Sequence, residues 1–235
     1  MKVGYKLKIF AKIKLVYALF VVAFFVGLYI IFTYPMRFGH NLFRKWTSKL
    51  ITTFLGVKIE KYGEEDPEAD MLIINHQSMI DIMVTEVVAK EANIAWVAKT
   101  ELFKLPFYGN AVKLPKMIEL DRENRQGIVK LLKDTKDRVA NGRTVAIFPE
   151  GTRNIENKML PFKKGAEIVA NKLNLKVQPI VLVNSAKRFD SKTMGYSSGK
   201  VQVIFLPSFQ ASKESNWLEE SREKMLTEYN KHIES

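Results

Sequence analysis

The chain has 235 residues, a formal net charge of +12 and no cysteine. This length allows one domain with a full core plus an appendage, and the missing cysteines exclude disulfides, a cysteine nucleophile and thiolate metal sites. Residues 1–59 contain ten basic side chains and no acidic one, whereas the charges in the rest of the chain nearly balance. Nucleic-acid binding would need a basic patch on the folded domain, so this distribution instead indicates anionic lipid headgroups and no nucleic acid.

An apolar run dominates the start of the chain. Leu15 to Tyr34 is twenty residues without a charge, and at about 1.5 Å per residue it could cross the hydrocarbon core of a bilayer. Basic residues lie on both sides of the run, so the charges favour no orientation for a single span. We therefore expect a tilted helix that breaks near Gly27 or Pro35 and enters one leaflet, with a spanning helix as the alternative.

The next segment, Phe38 to Leu55, is amphipathic. Its aromatic and aliphatic side chains fall on one side of a helix, and Arg44, Lys45 and Lys49 fall on the other. This pattern predicts a helix that lies in the membrane interface, and an ordinary packing helix is the alternative. We therefore divide the chain into a membrane-associating two-helix segment, residues 1–55, and a globular domain, residues 56–235.

A buried strand, a turn and a helix follow in the globular domain. Met71 to Ile74 predicts the strand, and the apolar spacing from Ile80 to Val88 predicts the helix. Ser78 is the expected N-cap, with Asp81 placed as in a capping box. His76 would then lie in the turn, within reach of Asp81, whose carboxylate would fix the imidazole tautomer and leave the other nitrogen free as a base. A loop histidine beside a capping aspartate is the simpler alternative.

The middle of the chain predicts a further strand and two helices. The strand runs from Asn93 to Ala98, a short helix begins at Lys99, and an amphipathic helix runs from Glu123 to Ala140. Lys99, at the end of a strand, could reach a phosphate, and a solvated lysine is the alternative. Later elements are strands over Val177–Val183 and Val201–Leu206 and a charged helix over Ser215–Ile233.

A second chemical stretch follows the strand predicted over Thr144–Ile147. It reads Phe148-Pro149-Glu150-Gly151-Thr152-Arg153. Gly151 permits a close backbone approach, and consecutive amides in a turn can form an anion-binding concavity. Arg153 supplies a fork for a phosphate. Since open α/β sheets bind ligands at the carboxyl edge of their strands, this turn and the His76 turn should face each other there.

The two stretches together resemble a known family. Asn75-His76-Gln77-Ser78-Met79-Ile80-Asp81, followed about seventy residues later by the Phe148–Arg153 stretch, is similar to the glycerolipid acyltransferases. Within that family the pattern looks most like the 1-acylglycerol-3-phosphate acyltransferases, which make phosphatidic acid. Ile118 to Arg122 resembles a looser second block, with Glu119 where the family often has phenylalanine.

The resemblance implies a set of site residues and a reaction. His76 and Asp81 would be catalytic, whereas Glu150, Gly151, Thr152, Arg153, Arg122 and Lys99 would bind substrate. The expected acceptor is lysophosphatidic acid, and the donor is an acyl thioester, either acyl-CoA or acyl carrier protein. No metal and no cofactor beyond this donor is expected. The fold is expected to be α/β, with a mixed central sheet flanked by helices.

Two other functions stay open at the level of sequence. The acceptor could be another lysolipid or glycerol-3-phosphate, and a non-catalytic peripheral membrane protein is the alternative from a different class. Because the donor thioester is cytosolic, we expect the domain to lie at the cytoplasmic face of a membrane.

Overall fold

The structure is a computed structural model that describes residues 2–36, 39–121, 126–154, 158–190 and 195–233, with the side chains of residues 2–11 left out. Helices lie at α1 (Lys2–Thr33), α2 (His40–Phe54), α3 (Ile80–Val88), α4 (Thr100–Lys104), α5 (Asn110–Lys113), α6 (Gln126–Ala140), α7 (Gly165–Leu173), α8 (Ser185–Arg188) and α9 (Trp217–Ile233). Strands lie at β1 (Val57–Tyr62), β2 (Met71–Ile74), β3 (Ile94–Lys99), β4 (Ile118–Leu120), β5 (Thr144–Ile147), β6 (Lys176–Val183), β7 (Phe189–Asp190), β8 (Gly195–Tyr196), β9 (Gly199–Phe205) and β10 (Phe209–Gln210).

Most of these strands form one mixed sheet in the order β1-β9-β6-β2-β5-β3-β4. Neighbours pair in parallel except β9 with β6, and the short β10 pairs antiparallel with β6. Because β2, β5, β3 and β4 run in parallel, their carboxyl ends meet at one edge. This arrangement confirms the expected α/β fold with a mixed sheet and places the two chemical turns side by side.

The sheet separates two hydrophobic cores. Alternate residues of β2 point to opposite faces, so Leu72 and Ile74 pack in the core that contains α3, whereas Met71 and Ile73 pack in the core that contains α6, α7 and α9. β2 and β5 are buried along their full lengths, as expected for parallel strands covered on both faces. The His76 turn and the Phe148–Arg153 turn therefore both follow strands that are buried along their full lengths.

The two N-terminal helices form a hairpin against the domain. The Tyr17 hydroxyl donates to the carbonyl of Phe54 over 3.0 Å, and Tyr29 hydrogen-bonds His40 near the connection. Helix α1 continues through Gly27 and ends two residues before Pro35, so the expected break falls at the proline. Leu15, Ala18 and Val21 of α1 belong to the hydrophobic core of the domain.

The predicted central elements are present with small shifts at their ends, and the expected first residues of α6, 123–125, lie outside the described part of the chain. The start of α3 is the exception, because its N-cap is Met79 and not Ser78. The Ser78 hydroxyl donates to the carbonyl of Phe189, which draws it away from the helix, although it also accepts a 3.3 Å hydrogen bond from the Ile80 amide. The other half of the capping box is present, because Asp81 accepts from the Ser78 amide over 2.8 Å.

Candidate active site

The His76 turn forms the expected imidazole–carboxylate pair. Nδ1 of His76 lies 2.8 Å from Oδ2 of Asp81, whose side chain is fully buried. The same oxygen accepts hydrogen bonds from the amides of Gln77 and Ser78 over 2.7 and 2.8 Å. An ionised carboxylate only accepts, so Nδ1 carries the proton and Nε2 presents its lone pair. The turn therefore folds back as the sequence predicts and leaves Nε2 available as a base.

An aromatic stack holds the plane of this imidazole. The ring of His76 lies on Phe148 with centroids 3.9 Å apart and planes 14° apart, and Phe148 stacks in turn on Trp96 at 5.3 Å. Phe148 is the first residue of the second motif, so the two motifs touch directly. Sequence reasoning missed this contact, because nothing local in either motif shows which side chain faces the histidine ring.

The side chain of Glu150, in the second turn, binds backbone amides of the His76 turn and of the loop that follows its own turn. Its Oε1 accepts from the His76 amide over 2.7 Å, and its Oε2 accepts from the Leu160 amide over 2.8 Å. The side chain is buried and does not line the cavity described below. Burial raises the pKa of the Glu150 carboxyl to about 7, and the two backbone hydrogen bonds oppose that rise. Both Glu150 carboxylate oxygens are therefore engaged by backbone amides outside the cavity lining, and substrate binding by Glu150 stays a prediction.

One cavity of about 580 Å³ brings together most of the other predicted site residues. Its lining includes His76, Lys99, Gly151, Thr152 and Arg153. His76 and the cations Lys99 and Arg153 thus share one space at the carboxyl edge of the sheet. Arg122, which the resemblance assigns to the acceptor phosphate, lies outside the residues that the structure describes.

The Gly151 turn has a conformation that favours glycine. Its φ of 71° is left-handed, and a Cβ there would lie 3.0 to 3.1 Å from the side chain of Lys163. Lys99, in contrast, is half exposed and pairs with Glu101 over 3.0 Å. Lys99 therefore borders the cavity and also faces solvent, and its contact with a phosphate stays a prediction.

The remaining wall of the cavity is largely apolar and includes residues from both N-terminal helices. Val26 of α1 and Ile51 of α2 face side chains of the domain across it. The other apolar lining residues include Met79, Ile82, Met83, Val112, Met117 and Phe148. The hairpin is therefore part of the cavity and not an appendage outside it.

A buried ion pair closes the side of the cavity near α2. Nε of Arg44 lies 2.9 Å from Oε1 of Glu86, which also accepts from the indole of Trp96 over 2.8 Å. Arg44 donates a further hydrogen bond to the carbonyl of Ile94. Arg44 lies on the polar side of α2, as the sequence predicts, and the structure buries its guanidinium against the domain, where the side chain is 10 % exposed. Glu86 is an acidic residue within the otherwise apolar pattern of α3, and this was the signal in the sequence that could have indicated a buried ion pair.

Comparisons with known proteins agree with this geometry. A 1-acyl-sn-glycerol-3-phosphate acyltransferase from Helicobacter pylori is 40 % identical over 223 residues, which cover 94 % of each chain. The chloroplastic enzyme LPAT1 of Arabidopsis thaliana is 31 % identical over 82 % of this chain and 54 % of its own. The crystal structure of the 1-acyl-sn-glycerophosphate acyltransferase PlsC from Thermotoga maritima matches with a TM-score of 0.75 at 22 % identity, over 95 % of this chain and 97 % of that one.

The profile of the acyltransferase family matches residues 58–183. This range contains the His76–Asp81 pair, the Phe148–Arg153 stretch and the strands β2, β3, β4 and β5 that carry the cavity. The matched range is more than half of the chain, and the Helicobacter pylori relative matches over nearly its whole length, so the chain belongs to the acyltransferase family.

Proposed function

We propose that the chain transfers an acyl group from a thioester to the sn-2 hydroxyl of 1-acylglycerol-3-phosphate and so makes phosphatidic acid. The observation that carries this proposal is the shared cavity, in which Nε2 of His76 and the cations Arg153 and Lys99 lie around one space beside an apolar wall. The Helicobacter pylori relative, a 1-acyl-sn-glycerol-3-phosphate acyltransferase that matches over nearly the whole chain, supports the same acceptor.

The steps follow from the positions of the groups. The acceptor phosphate binds Arg153, with Lys99 and Arg122 as further cations. Its free hydroxyl, on the neighbouring carbon, then lies at His76, which takes the hydroxyl proton while the oxygen bonds to the thioester carbonyl carbon. Asp81 orients His76 and stabilises the imidazolium. The carbon–sulfur bond breaks, and the thiolate takes the proton from His76.

The apolar wall fits the fatty chains of these substrates. A lysophosphatidic acid and an acyl thioester each carry one chain that must leave water during the reaction, and burial of each methylene is favourable by about 0.8 kcal/mol. Glu150 has a positioning role, because it holds the His76 amide and the following loop in place. This proposal uses no metal and no cofactor other than the donor.

We also propose that residues 1–55 enter one leaflet at the cytoplasmic face. Helix α1 is long and apolar enough to cross a membrane, but a third of the residues in its most apolar stretch, within Lys12–Thr33, are buried in the protein. A helix that packs along the domain is not free to cross the bilayer as well. In α2 the polar residues Arg44, Thr47 and Ser48 are buried, whereas Leu42 is 73 % and Trp46 is 61 % exposed. This pattern is the reverse of a packing helix in water and supports an interfacial helix.

An assay of thiol release tests the proposed reaction. The chain has no cysteine, so a thiol reagent reports only the coenzyme A or acyl carrier protein that the reaction sets free. We expect release from at least one of these donors in the presence of lysophosphatidic acid, and much less with monoacylglycerol, which has no phosphate. Faster release with glycerol-3-phosphate or lysophosphatidylcholine would show that this compound, and not lysophosphatidic acid, is the acceptor. No release with any donor and acceptor would favour a non-catalytic membrane protein.

A further inference from the structure

A short segment of the catalytic domain exposes an unusual amount of apolar surface. Within Leu102–Tyr108, four large apolar side chains are 42 to 48 % exposed, namely Leu102, Leu105, Phe107 and Tyr108. In the described part of the chain beyond residue 55, the other large apolar side chains with comparable exposure are three scattered ones, Tyr62, Val129 and Ile168. The concentration of four exposed apolar side chains within seven residues indicates an interaction surface, because isolated exposed apolar residues are usually scattered.

The backbone of this segment holds its side chains outward. Phe107 has a φ of 57°, a left-handed conformation that is unfavourable for a bulky residue. The turn closes with hydrogen bonds from the Gly109 amide to the Leu105 carbonyl and from the Asn110 amide to the Phe107 carbonyl. Strain of this kind persists where the surroundings fix the conformation, and it clusters at functional sites.

The segment is continuous with the outer face of α1. The Tyr108 hydroxyl donates to the carbonyl of Ala23 over 3.3 Å, and the Phe107 ring lies 3.8 Å from the position that a Cβ on Gly27 would occupy. Phe20 and Phe24 of α1 are themselves about half exposed or more and stack on each other. The apolar surface therefore extends from the helix hairpin onto the domain without interruption.

The charges beside the segment fit an anionic surface. Residues 99–116 contain four lysines and one acidic residue, Glu101, and Lys104, Lys113 and Lys116 are exposed. Each lysine near an anionic bilayer favours binding by attraction to the headgroups. Apolar side chains flanked by lysines are the composition expected at the boundary between headgroups and acyl chains.

We propose that the Leu102–Tyr108 segment is a third membrane-contacting element, which inserts into the same leaflet as the hairpin. This inference rests on the membrane association proposed above. Leu102 and Lys99 also line the catalytic cavity, so insertion of the segment sets one rim of the cavity at the lipid surface. A single-tailed acceptor could then pass from the leaflet to His76 without its chain entering water.

Single-cysteine labelling of the full chain tests this proposal directly, since the chain has no cysteine of its own. Phe107→Cys carries an environment-sensitive fluorophore, and the protein is bound to vesicles of phosphatidylcholine and phosphatidylglycerol. Phe24→Cys on α1 is the positive control, and Val129→Cys, which is 68 % exposed on α6, is the aqueous control. Lipids with a quenching nitroxide near the headgroup, and iodide in the water, report where each fluorophore lies.

We expect the nitroxide lipid to quench the Phe107 fluorophore at least about twofold more than the Val129 fluorophore, as for a group buried roughly 5–10 Å into the interface. Iodide should show the opposite order. If the Phe24 fluorophore is quenched by the lipid but the Phe107 fluorophore stays open to iodide, the third element is wrong while the hairpin stands. If neither is quenched, membrane association itself fails. If the Phe107 fluorophore is shielded from iodide in a way that depends on protein concentration and not on lipid, the surface binds a second copy of this chain and the proposal is overturned.

Discussion

The backbone amide of His76 donates a 2.7 Å hydrogen bond to Oε1 of Glu150, a residue 74 positions later. The register of the parallel strands explains this contact. Met71 pairs with Val145 and Ile73 with Ile147, and the same register continued beyond the strands sets His76 opposite Glu150. The base and the second motif are therefore placed by strand pairing, and the Glu150 carboxylate fixes the turns where the ladder ends.

Glu150→Gln should weaken the fold at this junction. The amide keeps the size of the side chain but replaces one acceptor with a donor, so one of the two backbone amides loses its partner. We expect the free energy of unfolding to fall by about 1–3 kcal/mol, the effect of a buried unsatisfied group. Chemical denaturation measures this change. Glu223→Gln, at an exposed position on α9, is the control and should leave stability unchanged.

The same carboxyl should make stability depend on pH. The pKa of Glu150 is raised by burial from its ordinary 4.5 to about 7, so between these values the folded chain holds a proton that the unfolded chain has released. The free energy of unfolding should therefore fall as pH rises through this window, by on the order of 3 kcal/mol for a fully realised shift. Glu150→Gln should remove this slope. An identical slope in the variant would show that Glu150 does not cause it.

Arg153→Ala should impair use of the acceptor far more than use of the donor. A charge-assisted hydrogen bond to the phosphate is lost, which corresponds to about 1.5–3 kcal/mol, so KM for lysophosphatidic acid should rise by about tenfold or more while KM for the thioester changes little. Arg153→Lys keeps the charge and should recover part of the loss. Equal increases in both KM values would contradict the phosphate role. Lys99→Ala should show a smaller effect in the same direction, because Lys99 faces solvent.

The Arg44–Glu86 pair should hold the hairpin on the domain. Arg44→Met leaves the Glu86 carboxylate buried without its cation, and we expect a loss of about 3–5 kcal/mol in the free energy of unfolding. Replacement of both partners, Arg44→Met with Glu86→Gln, should recover most of this loss, because no charge then stays buried and the amide oxygen can still accept from the Trp96 indole. Lys49→Met, at an exposed position on the same helix, is the matched control. A double variant no more stable than Arg44→Met alone would count against this explanation.

The one-leaflet arrangement of residues 1–55 predicts the side of the membrane on which the chain begins. With one cysteine introduced by Val3→Cys, a membrane-impermeant thiol reagent should label the chain only after the membrane of intact cells or right-side-out vesicles is broken. Labelling before breakage would show that the chain crosses the bilayer. The unaltered chain, which has no thiol, gives the background.

The elements and contacts that depend on a strong local pattern could be predicted from the sequence. β2, β5 and α3 carry apolar runs and spacings of their own, and the turn between β2 and α3 places His76 beside Asp81 within seven residues. Helix α7 and the short strands β1 and β4 were missed. β4 has three residues, and β1 lies at the edge of the sheet with half of its side chains toward solvent, so their patterns are weak.

The long-range part of the site was not predictable in the same way. The stack of His76 on Phe148 and the hydrogen bond to Glu150 depend on the register between β2 and β5, which sequence patterns alone leave open. The burial of Arg44 depends on which face of α2 meets the domain. For a helix in water the apolar face would be expected to meet the domain, whereas in α2 the polar residues Arg44, Thr47 and Ser48 are buried.

Asp81→Asn should reduce turnover strongly without unfolding the chain. The amide oxygen can take the place of Oδ2 and still accept from Nδ1 of His76 and from the backbone amides of Gln77 and Ser78, but the neutral side chain no longer stabilises the imidazolium. Turnover measured by thiol release, with far-ultraviolet circular dichroism for the fold, separates the two effects. Unchanged turnover would remove Asp81 from the mechanism.

The most direct test of the account is the turnover of His76→Ala with lysophosphatidic acid and an acyl thioester. Loss of the general base should reduce the rate of thiol release by at least about 10²–10⁴-fold, while circular dichroism shows a folded chain. His232→Ala, which removes a histidine on α9 outside the cavity lining, should retain its activity. A folded His76→Ala chain that releases thiol at nearly the rate of the unaltered protein would contradict the mechanism.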